Sequence, residues 1–371
     1  MSLSAAIIVN NEAESLDACL TSLTGLVDEM VVVDTGSTDH TVAVAEQHGA
    51  VVAHEPWQGD FAAPRNHSLD LATGDWILAV DADEEVRGDF DDAREFLARA
   101  DPYVALRVRF VPRAGWTPFR QYRLWRNRPD IRFVGRIHET VAPAIDAAAR
   151  ADALGIETFD PFTIHRVGDE RARSDRRARA EPLLVAEIAR NPDRPFVYDH
   201  LARVYQAAGD GERAVDTWKR GIAQARVRDV VDPDDRLLYV DLVHHLLANG
   251  VIDNELEVLV AEAREQFSRT PTLELAAARL AFATGRPRDA LEPLDWLVDL
   301  DDDAIIATGV SYDERVFGEW AWGLLGLVRF ALGDDVAAAD AFTRAEQLAP
   351  DDPSYRVRRR LAEARASTPA S

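Results

Sequence analysis

The stretch Gly74-Asp75-Trp76-Ile77-Leu78-Ala79-Val80-Asp81-Ala82-Asp83-Glu84-Glu85 decides how this chain is read. Gly74 stops a helical pattern running from Ala62 to Ala72, an uninterrupted apolar run follows, and that run ends abruptly in Asp81, Asp83, Glu84 and Glu85. A short apolar run bounded by turn signals and lacking alternation reads as a strand buried on both faces. In an open α/β sheet ligands bind outside the carboxyl ends of strands, so carboxylates placed directly after such a run point to a site, not into the core. Two aspartates one residue apart can share one hard cation, and that cation can bridge the two phosphates of a nucleoside diphosphate. An Asp-x-Asp standing alone is a weak signal, and its surroundings carry the weight.

Polar groups recur at the ends of the neighbouring apolar runs. Ala5-Ala6-Ile7-Ile8-Val9 reads as a strand ending in Asn10-Asn11-Glu12, and Met30-Val31-Val32-Val33 as one ending in Asp34-Thr35-Gly36-Ser37-Thr38-Asp39. Ala50-Val51-Val52-Ala53 is a further run, and helical patterns cover Glu14 to Leu23 and Thr41 to His48. Strands alternating with helices predict an α/β layer with parallel strands. From Tyr103 to Val111, Val104, Leu106, Val108 and Phe110 alternate with Ala105, Arg107 and Arg109, which predicts a half-exposed strand and a mixed sheet. Three strand ends thus supply polar groups to one crevice. The glycine-containing turn after Asp34 lets a ligand approach backbone N–H groups, and Asp34 can accept hydrogen bonds from a ribose or a base. Each strand end also has a simpler use, because Asn11 or Ser37 can cap the helix that follows.

Past Arg166 the strand patterns stop and the chain turns helical and rich in Ala, Leu and Arg. Arg166 to Arg190 reads as a charged linking helix that Asn191-Pro192-Asp193 ends. The unit from Tyr198 to Trp218 places a small residue, an aromatic, a turn at Gly209 and then Ala214 and Trp218 at tetratricopeptide spacings. Trp322 to Phe342, turning at Gly333 and closing with Ala349-Pro350, repeats them. Two weaker units turn at Gly250 and Gly285, so the turn glycines lie 41, 35 and 48 residues apart. Helix pairs of this kind bury their apolar faces on one another, so several in series are needed. The expected organisation is an α/β domain over residues 1–168, a linking helix over 169–194 and a TPR-like all-α repeat domain over 195–371.

A length of 371 residues suits two domains, and 47% hydrophobic with 29% charged residues is an ordinary globular balance. No apolar stretch reaches the roughly 18 residues that cross a bilayer. The N-terminus MSLSAAIIVNNEAE lacks the basic start of a signal peptide, so a cytoplasmic chain without an integral membrane segment is expected. Cys19 is the only cysteine, which excludes an intramolecular disulfide and a thiolate zinc site. Its place in the pattern Leu16, Cys19, Leu20, Leu23 makes it a core residue. The formal charge of −23 repels phosphate backbones and argues against nucleic acid as a partner. Against that background Arg107 to Arg136 holds nine arginines and one acid, Asp130. Such a segment either faces an anionic ligand or pairs with acids elsewhere in the fold.

Ile8-Val9-Asn10-Asn11-Glu12, Val32 to Thr41, Phe61-Ala62-Ala63-Pro64-Arg65-Asn66 and Gly74 to Glu84 together resemble the family 2 glycosyltransferases of GT-A fold. This is the nucleotide-diphospho-sugar transferase fold, with a Rossmann-like mixed sheet. Within the family the chain is similar to the SunS-like branch, in which a catalytic domain precedes tetratricopeptide repeats. The resemblance implies a nucleoside-diphosphate sugar donor, with a UDP-sugar first among them. Asn10 and Glu12 would lie near the base, Asp34 near the base or ribose on the Gly36-Ser37 turn, and Arg65 near the diphosphate. Asp81 and Asp83 would hold Mg²⁺ or Mn²⁺. Arg132-Phe133-Val134-Gly135-Arg136-Ile137-His138-Glu139 is similar to the family's acceptor-side segment and makes His138 and Glu139 an active-site pair. Glu139 is the first candidate for a general base and Glu84 the second. Ile164-His165-Arg166 resembles the strand whose histidine completes the metal shell or contacts the diphosphate, so His165 is a candidate ligand. The chain departs from the pattern at Pro64, which suits the first turn of a helix, and at Val167-Gly168-Asp169, where family members carry Gly-Tyr.

What the resemblance implies is transfer of the sugar with inversion to an acceptor that the residues do not identify: a peptide, a small molecule or a glycan. The repeats would bind or orient that acceptor, recruit a partner, or make a homodimer. Two other classes fit parts of the pattern. A non-catalytic nucleotide-sugar-binding platform for a partner-recruiting TPR array is opposed by the intact Asp81-Ala82-Asp83 and Arg65. A nucleotidyltransferase needs a glycine-rich phosphate loop with a basic residue, and Ile7 to Leu20 has none.

Overall fold

The computed structural model describes residues 1–167 and 170–367. One mixed sheet contains β1 (Leu3–Val9), β2 (Glu29–Asp34), β3 (Val51–His54), β4 (Trp76–Ala79), β5 (Glu84–Gly88), β6 (Tyr103–Val111), β7 (Phe119–Arg126) and β8 (Gly155–Arg166), in the order β3-β2-β1-β4-β7-β6-β8-β5. β1 pairs in parallel with β2 and β4, and β2 with β3, so the carboxyl ends of these four strands share one edge. β7 runs antiparallel between β4 and β6, β8 runs parallel to β6, and β5 closes the far edge antiparallel to β8.

Helices α1 (Ala13–Leu23), α2 (Thr41–Gln47), α3 (Ala62–Leu71), α4 (Phe90–Ala98) and α5 (Ala142–Asp152) accompany the sheet. Successive strand residues point to opposite faces. Ile7, Val32, Trp76 and Leu78 pack with Leu16, Cys19 and Leu20 of α1 on one side, while Ala6, Val31, Ile77 and Ala79 pack with Leu69 of α3 and Ile145 of α5 on the other. Full burial of each such Leu, Ile or Val contributes about 1.5–3 kcal/mol, and burial on both faces explains the unbroken apolar runs. β6 forms over the expected residues, but Ala105 is buried as deeply as Val104 because β6 lies inside the sheet and its ladder to β7 shifts between Leu106 and Arg107.

Arg166 is the last residue of β8, paired with Glu84 of β5, and α6 spans Glu170–Arg190. The linking helix therefore starts after Arg166, because that residue is held in the sheet. The expected boundary between residues 168 and 169 lies outside the described residues.

The chain divides into two compact units, Met1–Glu187 with Gly309–Ser311, and Ile188–Thr308 with Tyr312–Ser371. The second unit is helical: α7 (Pro195–Ala207), α8 (Gly211–Arg226), α9 (Arg236–Ala248), α10 (Asn254–Gln266), α11 (Pro271–Ala283), α12 (Leu291–Val298), α13 (Asp302–Ala307), α14 (Glu319–Leu332), α15 (Asp335–Leu348) and α16 (Pro353–Ala366). Gly209, Gly250, Gly285 and Gly333 all adopt the left-handed conformation that ends a helix, with φ of 81°, 74°, 77° and 84°. Each separates one pair of helices, and α13 falls between the third and fourth turns, which accounts for their wider spacing. Gly326 of α14 permits close approach of α15, since a Cβ there would stand 2.6 Å from the Phe342 ring. Asp199, fully buried on α7, accepts the Trp218 indole N–H at 2.9 Å and lies 2.8 Å from Arg203. Among the described residues no helix is long and apolar enough to cross a membrane.

Candidate nucleotide and metal site

The turns after β1 and β2 are tied to each other at the shared sheet edge. Thr35 donates its N–H and its hydroxyl to the Val9 carbonyl at 2.9 and 3.0 Å. Asn11 donates its N–H to Ser37 Oγ at 2.9 Å and accepts the Thr38 N–H at 2.8 Å. Asn11 pays for this bridge with a left-handed backbone, φ 55°. Asp34 is nearly sealed off, and its carboxylate accepts the N–H groups of Gly36 at 3.2 Å and Ser37 at 3.0 Å. Burial pushes the Asp34 carboxyl up, but the bonds from Ser37, the contact with His54 and the Gly36 N–H outweigh it and leave the group below its ordinary value. Asp34 therefore shapes the turn. Gly36, at φ 116°, has open space above its Cα, and Asn10 is exposed beside it. Glu12 begins α1, donating its N–H to Thr41 Oγ1 at 2.8 Å and accepting the Ser15 hydroxyl at 2.8 Å.

Beyond β4 the acids are organised around arginines. Asp81 and Glu84 close a turn on each other: Glu84 donates its N–H to the Asp81 carbonyl at 3.0 Å and accepts the Asp81 N–H on Oε2 at 2.9 Å. Arg65, from α3, donates from Nη2 to Asp81 at 2.7 Å and from Nε to Glu139 at 2.5 Å, with its guanidinium 5.4 Å from the Phe133 ring centroid. Asn66 fixes Phe133 by bonding both its N–H and its carbonyl, at 2.8 and 2.9 Å. Arg123 of β7 donates to Glu84 at 2.8 Å. Arg166 of β8 lies between the remaining carboxylate oxygens, with Nη2 at 3.0 Å from Asp81 and 3.4 Å from Glu84, and Nε at 3.5 Å from Asp83.

The same burial acts oppositely on neighbouring acids. For Asp81 the burial penalty is outweighed by Arg65, Arg123 and Arg166, which hold the carboxyl well below the usual carboxylate range. Glu84 is 0% exposed, and burial, reinforced by the Asp81 charge, pushes it up to about 7.

The structure thus brings Asp81, Asp83, Arg65 and Glu139 together at one end of the sheet, and Asn10, Asp34, Gly36 and Ser37 together at the adjoining turns. His138 stands next to Glu139 in the loop closed by the Val134–Thr140 bridge, with φ 52°. Glu84 has its carboxylate consumed by Asp81, Arg123 and Arg166, which leaves no accessible oxygen for a general base. His165 is not brought to the acids. Strand alternation sends Arg166 toward them and His165 the other way, where its Nε2 meets Thr163 Oγ1 at 2.7 Å. Arg123 fulfils one of the two uses expected of the basic segment, pairing with an acid elsewhere in the fold, whereas the sequence assigns Arg166 no role of its own beyond its place beside His165 at a strand end.

Most arginines of the basic segment find acids. Arg120 pairs with Asp160 at 2.6 Å, Arg128 with Asp130 at 2.8 Å, and Arg132 with Asp70 at 2.7 Å. Among the described residues no group of three or more His, Cys, Asp or Glu is placed to hold a metal ion. Two carboxylates of the Asp81-Ala82-Asp83 turn are nevertheless the donor set with which Mg²⁺ is bound when substrate phosphates and water supply the rest. The residues present fit a cation shared with a diphosphate.

Residues 4–154 match the model of the family described as glycosyl transferase family 2. A TPR repeat-containing protein of Synechococcus elongatus is 35% identical over 250 residues, covering 66% of this chain and 60% of that protein. An uncharacterized glycosyltransferase of Rickettsia felis is 39% identical over 112 residues, 29% of this chain and 39% of that one. The prophage-derived glycosyltransferase SunS of Bacillus subtilis is 37% identical over 79 residues, 21% of this chain and 19% of SunS. The chain spans less than two thirds of the length of each. The N-terminal part of the chain is thus similar to the family 2 glycosyltransferases over residues 4–154, on a mixed α/β sheet of GT-A type, and a TPR-like helical array follows it.

Proposed function

We propose that this chain transfers a glycosyl group from a nucleoside-diphosphate sugar, of the UDP type by family resemblance, to an acceptor, with inversion and with dependence on Mg²⁺ or Mn²⁺. The observation that carries this reading is the convergence, at one sheet edge, of the Asn10–Asp34–Ser37 turns with the Arg65–Asp81–Glu139 network. The exposed Asn10 side chain and the open space over Gly36 receive the nucleoside, while Asp34 keeps the turn in shape. Asp81 and Asp83 hold the cation, whose contribution is Lewis-acid stabilisation of the departing diphosphate, several kcal/mol in a site of this kind. Arg65 positions Asp81 and faces the same phosphates. Glu139, aimed by Arg65, takes the proton of a hydroxyl acceptor, a role worth about 10²–10⁴ in rate. The helical array serves the acceptor or a second copy of the chain.

Calorimetric titration of UDP with and without Mn²⁺, followed by mass-spectrometric screening of nucleotide sugars for hydrolysis, tests the proposal. Metal-linked UDP affinity and hydrolysis of at least one donor are expected. A chain that acts only as a platform shows neither.

A further inference from the structure

Arg166 sits at the centre of the acid cluster. Its Nη2 reaches Asp81 at 3.0 Å and Glu84 at 3.4 Å, and its Nε faces Asp83 at 3.5 Å. That Nε–H is buried and has no hydrogen-bond partner among the described residues. An orphaned guanidinium donor costs free energy, and it marks a group whose best partner is not yet in place. The guanidinium rests against the Phe110 ring, 5.6 Å from its centroid, with Arg123 on the same ring at 5.1 Å. Unlike Glu84, the Arg166 side chain keeps about a third of its surface open, at 34%. Its backbone is therefore anchored by the sheet, through the β5–β8 register, while its guanidinium is held by the acids through Nη2 and leaves Nε unused.

We infer that Arg166 is an exchangeable counter-ion: in the free chain it neutralises Asp81 and Asp83, and on donor binding it yields those carboxylates to a divalent cation and turns its donors to the diphosphate. This rests on the nucleotide-sugar reading above and extends it to a residue outside that reading. A guanidinium suits both states, because its fork bonds carboxylate and phosphate alike and remains charged throughout. The exchange also balances charge. Without donor, Arg166 relieves repulsion between two close carboxylates; with donor, the cation takes over that task and the phosphates receive Arg166. Metal and nucleotide then help each other bind through one side chain, which is a coupling between two sites and is reciprocal.

The test is a pair of titrations on the full chain and on Arg166→Met. Free Mn²⁺ is followed by electron paramagnetic resonance without nucleotide, and UDP binding is followed by calorimetry at saturating Mn²⁺. Removing the competing cation should tighten Mn²⁺ binding roughly tenfold, while loss of the phosphate partner should weaken UDP roughly tenfold, within the usual range of site couplings. A residue that merely supports the fold gives weaker binding of both. Unchanged or weakened Mn²⁺ binding in Arg166→Met, with metal-dependent UDP binding intact in the unsubstituted chain, overturns this inference alone. Metal-independent UDP binding in the unsubstituted chain overturns the metal reading and this inference with it. Should Arg166→Met fail to fold, Arg166→Lys, which keeps the charge and loses the fork, is titrated in the same way. It should weaken UDP while leaving Mn²⁺ within about twofold; unchanged UDP affinity overturns the inference.

Discussion

Glu139 accepts the Arg65 Nε–H at 2.5 Å across 74 residues of sequence, and the same guanidinium reaches Asp81 from its other side. One side chain on α3 thus joins the metal-side turn after β4 to the loop that carries His138 and Glu139. Arg65→Met removes the shared partner of two largely buried carboxylates. Losing one member of such a cluster costs about 3 kcal/mol, to be read from urea unfolding. Arg65→Lys restores charge but not the two-directional fork, so it should recover part of the stability and little of the UDP affinity.

Asp83→Ala should abolish metal-dependent donor hydrolysis, lowering turnover roughly a hundredfold or more at saturating Mn²⁺, the scale of a lost electrostatic contribution to the leaving group. Turnover is followed by mass spectrometry. Undiminished metal-dependent hydrolysis in this variant sinks the assignment of Asp83 as a cation ligand.

Glu84 supplies a pH signature of the fold. Its folded value, about 7, lies above the ordinary 4.5, so the folded state binds the proton more tightly than the unfolded chain does. Stability from this group is then greatest below about pH 4.5 and falls as pH rises toward 7. Glu84→Gln keeps an acceptor for Arg123 and removes the titration. Urea unfolding at pH 5 and pH 7 should show a smaller decline in the variant than in the unsubstituted chain; equal declines would contradict the raised value.

Gly326→Ala tests the packing of α14 on α15. The added methyl would meet the Phe342 ring at 2.6 Å, well inside ordinary contact. Overpacking of this kind costs about 1–3 kcal/mol. A fall in the helical unfolding midpoint with unaltered UDP affinity is the expected outcome. The two variants Gly326→Ala and Arg65→Met should therefore separate helical stability from nucleotide binding.

The apolar runs Ile7-Ile8-Val9, Val31-Val32-Val33 and Trp76 to Val80 are legible because a strand buried on both faces needs nothing but apolar side chains, a local property. The turn glycines of the helical half are legible for a similar reason: ending a helix in the left-handed conformation selects glycine whatever surrounds it. Asp81 and Asp83 were placed by the strand they follow. β5 and β7 were not readable in this way, since Glu84-Glu85-Val86-Arg87-Gly88 and Phe119 to Arg126 carry charges that only distant partners satisfy. Arg123 meets Glu84, and Arg120 meets Asp160, through ladders that join separate parts of the chain. His165 and Arg166 show the difference most sharply. The family resemblance favours the histidine, a familiar ligand, but a one-residue step along a strand reverses the face. The pairing of Arg166 with Glu84 in the β5–β8 ladder decided which of the two side chains meets the acids.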